Sequence, residues 1–168
     1  DKIQAATTMT ELEDLYRPYR PKRRTRATVA KGKGLEPLAE ILWSQEICEG
    51  DILEIASAYV NPEKEVNNPE EALQGAMDII AEIISDDAEL RKMIRNYTYN
   101  NGTIVTKAIV DDKTVYEMYY DYSEAVRKIV PHRVLAINRG ERENVLNVKI
   151  EVDLEAIYKK LFERLIKN

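Results

Sequence analysis

The segment Asn68-Pro69-Glu70-Glu71 constrains this chain more than any other, because it starts a helix by three independent routes. Asparagine is a natural N-cap, its side-chain oxygen accepting from a backbone N–H that the first turn leaves free. Proline has no N–H to lose at the first helical position, and two carboxylates favour the positive end of the helix dipole. From there Leu73, Ala76, Met77, Ile80, Ala81 and Ile84 step by three and one, the mark of a helix with one buried face.

Shorter helices are expected around it. Thr10 and Glu13 are spaced as a capping box before Leu12, Leu15, Tyr16 and Tyr19, and Pro18 and Pro21 end that pattern. Residues 17–34 read as an extended loop, poor in apolar surface and closed by Gly32 and Gly34. Helix resumes at Leu35, with Pro37 in its first turn and Leu38, Ile41 and Leu42 as a stripe, and again over about 51–59. Asp86 and Glu89 cap a further helix carried by Leu90, Met93, Ile94 and Tyr97, which Asn101-Gly102 stops. Val115, Met118, Tyr119, Tyr122, Val126 and Ile129 predict another helix from about Thr114, broken at Pro131; His132 to Arg139 adds a turn or two, closed by Gly140. Thr103 to Val110 is β-branched, and Leu146, Val148, Ile150 and Val152 alternate with polar residues. A last amphipathic helix carries Leu154, Ile157, Tyr158, Leu161 and Leu165. The fold class is therefore mainly α, a multi-helix assembly with one or two short β-strands at about 103–110 and 145–152. Residues 1–130 are expected to form a helical region containing the basic loop 17–34. Residues 131–168 supply a short helix, a strand and the C-terminal helix, packed on the same core or leading to a next domain.

Composition narrows the function. At 168 residues, 44% hydrophobic and 33% charged, the chain suits a packed core under a charged surface, and no run of about 18 apolar residues suggests a membrane span. One cysteine, Cys48, read as a buried helix residue, excludes an intrachain disulfide and points to a reducing, cytoplasmic setting. The N-terminus has no secretory pattern and no initiator Met, so we expect a segment of a longer protein. One His and one Cys do not assemble a structural zinc site, and the acidic residues lack calcium-loop spacing. Ser85 and Ser123 lack a glycine elbow, and Gly32-Lys33-Gly34 lacks the P-loop spacing. No catalytic residue, metal or cofactor is expected.

One segment stands apart. From Arg17 to Lys33 there are eight basic residues and no acidic one, which leaves 17 of the 25 basic residues against all 30 acidic ones, a balance of −13 elsewhere. Arg17, Arg20, Lys22, Arg23, Arg24, Arg26, Lys31 and Lys33 are the candidate phosphate contacts, since guanidinium pairs bidentately with phosphate, and Tyr19 offers a face on which a base can stack. The alternative is a basic loop lying against the protein's own acidic helices and clamping the fold. A second, weaker cluster comprises Arg127, Lys128, His132, Arg133 and Arg139, with Arg142, diluted by Glu124, Glu141 and Glu143.

The stretch Glu11-Leu12-Glu13-Asp14-Leu15-Tyr16-Arg17-Pro18-Tyr19-Arg20-Pro21-Lys22-Arg23-Arg24-Thr25-Arg26-Ala27-Thr28, followed by Lys33-Gly34-Leu35-Glu36-Pro37-Leu38-Ala39, resembles the Tex family of bacterial transcription accessory proteins. Ala58 to Ala76, Asp121-Tyr122-Ser123-Glu124 with Arg127-Lys128-Ile129, and His132 to Ala136 with Arg139-Gly140-Glu141 extend the resemblance in order along nearly the whole chain. One departure is Val130-Pro131-His132, where the family pattern leads us to expect Pro-Ser-His. The resemblance implies an internal helical region preceding an RNase-H-like domain, helix-hairpin-helix elements and an OB-fold that is the family's principal RNA-binding element. It also implies partners: RNA or DNA bound without sequence preference, the neighbouring domains, and the transcription machinery, with no membrane.

Overall fold

The computed structural model describes residues 2–21, 23–46 and 50–167. Lys22 and Cys48, both singled out above, lie outside the described residues. The chain is mainly α with a small three-stranded antiparallel sheet, and it divides into two compact units, residues 1–92 with 165–168 and residues 93–164. No helix among the described residues is long and apolar enough to cross a membrane.

The first unit is organised by α5, Pro69–Asp86, and its start is the one expected: Asn68 accepts from the Glu71 N–H at 2.8 Å and Pro69 opens the helix. Against it pack α2 (Arg26–Gly32), α3 (Glu36–Ser44) and α4 (Ile52–Ser57). The contact faces are built largely of small residues, Ala27 and Ala30 on α2 and Ala72 and Ala76 on α5, with Leu35, Leu38 and Ile79 filling the remaining space. Small side chains let helix axes approach closely, and Gly75 takes this furthest: a Cβ there would stand 2.3 Å from Leu35 Cδ1. α1 (Met9–Tyr16) starts two residues earlier than expected, because Thr8 rather than Thr10 is the cap and accepts from the Glu11 N–H, at 3.2 Å.

Two expectations fail here and in the second unit. Residues 17–34 are not an extended loop throughout. Arg17–Tyr19 is a 3-10 turn and α2 occupies Arg26–Gly32, nucleated by a reciprocal cap between Thr25 and Thr28 and held by alanines that pack on α5. Residues 114–129 are not a helix. They form a 3-10 turn at Glu117–Tyr119 and the strand β2 at Asp121–Ala125. The helical stripe inferred there breaks up: Tyr119 is buried beside Tyr116, which lay outside the stripe, whereas Val115 and Met118 are 87% and 70% exposed.

The second unit is centred on β1 (Thr103–Ala108), which pairs antiparallel with β2 on one side and β3 (Leu146–Glu151) on the other. α6 (Ala88–Asn101), capped by Asp87 through the Leu90 N–H at 2.8 Å, leads into β1. α7 (Pro131–Arg142) packs on β3, with Ile137, Leu146, Ile104, Tyr116 and Tyr119 as the core. Thr106, fully buried, donates to the Tyr119 carbonyl at 2.6 Å and so ties the middle of β1 to the turn before β2. The last helix, α8 (Leu154–Leu165), buries Ile157 but leaves Leu154 and Tyr158 exposed.

Candidate nucleic-acid interface

The basic segment turns out to be two populations of cations. At its ends the charges are tied to the protein itself. Arg17 donates from Nε to Asp86 Oδ1 at 3.1 Å, and Asp86 is nearly buried. Lys33 donates from Nζ to the Glu65 carbonyl at 2.8 Å, with the Glu65 carboxylate 3.9 Å away. Lys31 lies 3.6 Å from Glu36. Arg26 stands 3.9 Å from Asp78 while its side chain remains 87% exposed, a contact too long and too wet to hold it.

The middle of the segment behaves differently. Arg20, Arg23 and Arg24 are exposed and their side chains make no hydrogen bond or ion pair among the described residues, and Tyr19 is 76% exposed. The reason is local. Pro18 lies in the 3-10 turn Arg17–Tyr19 and Arg20 leaves it extended, at φ −70° and ψ 134°, so no helix takes up these side chains before α2 begins at Arg26. Tyr16, at the end of α1 and 51% exposed, stands one helical turn from Tyr19, an aromatic neighbour that the sequence reading did not include.

Beside these residues runs a groove of about 860 Å³ whose rim carries Arg17, Arg20, Arg23 and Arg26 and whose wall includes Asp78, Glu82 and Asp86. Thr25 Oγ1 donates to Glu82 at 3.0 Å. The wall belongs to α5, the most acidic long helix facing the segment, and its carboxylates repel an anion placed inside the groove. Charge therefore favours contact from outside, along the rim.

The second cluster lies in the other unit and is more fully committed. Arg133 Nη1 donates to both oxygens of Glu124 at 3.0 Å and to the Tyr122 hydroxyl at 3.3 Å. The Tyr122 hydroxyl in turn donates to Glu124. That hydrogen bond, then the Arg133 contact, holds the Glu124 carboxyl below the usual range, and the same bond raises the Tyr122 hydroxyl. Arg139 donates to Glu143 at 2.9 Å, and Tyr116 donates to the other oxygen of Glu143 at the same distance. Arg127, Lys128 and His132 are exposed and make no ion pair among the described residues. Arg142, likewise exposed and without an ion pair among the described residues, joins these three as available to an outside anion.

Comparison with known proteins agrees with the resemblance read from the motifs. The family described as Tex central region-like matches residues 49–168. YdcI of Bacillus subtilis is 49% identical over 99% of this chain, and the transcriptional accessory protein Tex of Neisseria gonorrhoeae is 39% identical over 89%. The human S1 RNA-binding domain-containing protein 1 is 30% identical over 86%. The chain spans 24%, 20% and 15% of these relatives' own lengths, respectively.

Proposed function

The chain belongs to the Tex family, and from that premise we propose that it contributes sequence-independent phosphate contacts to nucleic-acid binding by a transcription accessory protein. The observation that carries this reading is the division of the basic segment. Arg17 and Lys33 anchor its ends to Asp86 and Glu65, and between them Arg20, Arg23 and Arg24 project without an ion pair among the described residues. Anchored ends place the free guanidiniums at low entropic cost. Guanidinium–phosphate pairing then supplies affinity without base readout. Tyr19 adds a stacking face, which favours a single strand whose bases are unpaired over a duplex. The human relative's name, which records an S1 RNA-binding domain, is consistent with RNA as the polymer. Binding, and no chemical step, is the role proposed for these residues.

A second reading has its own support. Arg17 on Asp86 and Arg91 on Asp14 join residues distant in sequence, and a segment so fastened also suits an architectural part that positions neighbouring modules. Fluorescence anisotropy with a labelled single-stranded RNA at low salt separates the two. Binding that Arg20→Ala, Arg23→Ala and Arg24→Ala together weaken supports contact. Absence of binding by the unaltered chain overturns it in favour of the scaffold.

A further inference from the structure

We propose that Arg24, Lys33 and Lys64 form a phosphate-binding cleft for the same nucleic-acid strand, a role in which Lys64 joins the site from a separate part of the chain. The proposal rests on the function read above and extends it around the C-terminal end of α2.

The cleft measures about 430 Å³ and is also lined by Glu63 and Glu65. Lys64 closes the 3-10 turn Pro62–Lys64, which is firmly built. Asn61 accepts from the Glu63 N–H at 3.1 Å, and Asn61 and Val66 exchange backbone hydrogen bonds at 2.9 and 3.0 Å, with Val66 buried in the core. The ammonium is thereby brought over the backbone beyond α2. Gly34 has φ +83°, and a Cβ at that residue would stand 3.4 Å from Lys64 Nζ. Glycine is favoured there by the left-handed backbone, while a methyl at that distance would only touch the ammonium.

Charge and donor supply point to an anion. The side chains of Lys64 and Arg24 make no hydrogen bond or ion pair among the described residues, and Lys33 uses one donor on the Glu65 carbonyl. Three cations thus face two carboxylates, and the Glu65 side chain is 87% exposed and free to turn away. A phosphodiester presents two unbridged oxygens, enough to take donors from Arg24 on one side and the two ammoniums on the other. Lys64 also stands near the negative end of the α2 dipole, an intramolecular role that would appear in stability and not in affinity.

The test is an anisotropy titration of a labelled single-stranded oligonucleotide across a salt series with the unaltered chain, Lys64→Ala, Lys64→Arg, and the Arg20→Ala/Arg23→Ala pair. Lys64→Ala is expected to weaken binding about three- to tenfold, and to lower the slope of log affinity against log salt by about 0.7, as one lost contact to a single strand does. Lys64→Arg should restore both, and the melting temperature should not move. If the arginine pair weakens binding while Lys64→Ala leaves affinity and slope unchanged, or lowers only the melting temperature, the cleft is wrong and the phosphate-contact reading stands. If the unaltered chain does not bind, both fall.

Discussion

Arg91 donates from Nε to the buried carboxylate of Asp14 at 2.7 Å, joining α6 to α1 across 77 residues of chain. Arg91 also donates to the Ser85 carbonyl at 3.2 Å, so one guanidinium ties α1 to the end of α5. Asp14→Ala removes a charge-assisted acceptor from a buried position, and is expected to cost about 1–3 kcal/mol, read as a lower melting temperature. Nucleic-acid affinity of the folded variant should not change, because Asp14 faces inward.

Replacing Arg20, Arg23 and Arg24 together with alanine should do the reverse. All three are exposed and without ion pairs among the described residues, so thermal stability is expected to stay within about 0.5 kcal/mol. The salt dependence of single-strand binding should flatten by about 2 in slope, three contacts at about 0.7 each. A melting temperature that drops while affinity holds would assign these residues to the scaffold.

Gly75→Ala is a test of the helix packing. The new methyl would meet Leu35 Cδ1 at 2.3 Å and Ala30 Cβ at 3.3 Å in a fully packed region. Overpacking is expected to outweigh the roughly 1 kcal/mol gained in helix propensity and leave a net loss of about 1–2 kcal/mol in denaturant unfolding.

The Glu11 carboxyl is lowered from 4.5 to about 2, first by the hydrogen bond from Lys92 at 2.9 Å and then by donation from Thr7. Because the folded-state value lies below the unfolded one, the stabilisation it brings is complete above about pH 4.5 and is lost as pH falls towards 2. An NMR titration should place Glu11 well below the other exposed glutamates. Lys92→Ala should move its midpoint upwards, and a midpoint that stays near 2 in that variant would show that Lys92 is not the cause.

How much was legible depended on how far each determining contact reaches. Asn68, Pro69 and the stripe after them specified α5 within a few residues, as Asn101-Gly102 did the end of α6. β3 was readable from strict alternation. The stretch 114–129 was not, because tyrosines and valines at helical spacing also suit a strand, and the choice is made by β1, with Lys107 opposite Asp121 and Thr103 opposite Ala125.

The amino-acid order alone determined the mainly helical class, the caps of the strongest helices, the family resemblance and the concentration of positive charge between Arg17 and Lys33. Those features arise from hydrogen bonds and periodicities spanning three or four residues, or from composition, which needs no geometry. Tertiary structure decided which of those cations are free. Arg17 finds Asp86 69 residues away, Lys33 finds Glu65 32 away, and Lys64 arrives at Gly34 only because the turn that carries it is fastened to the core. Pairing between charges depends on distances of a few ångströms across the fold, and no local pattern encodes them.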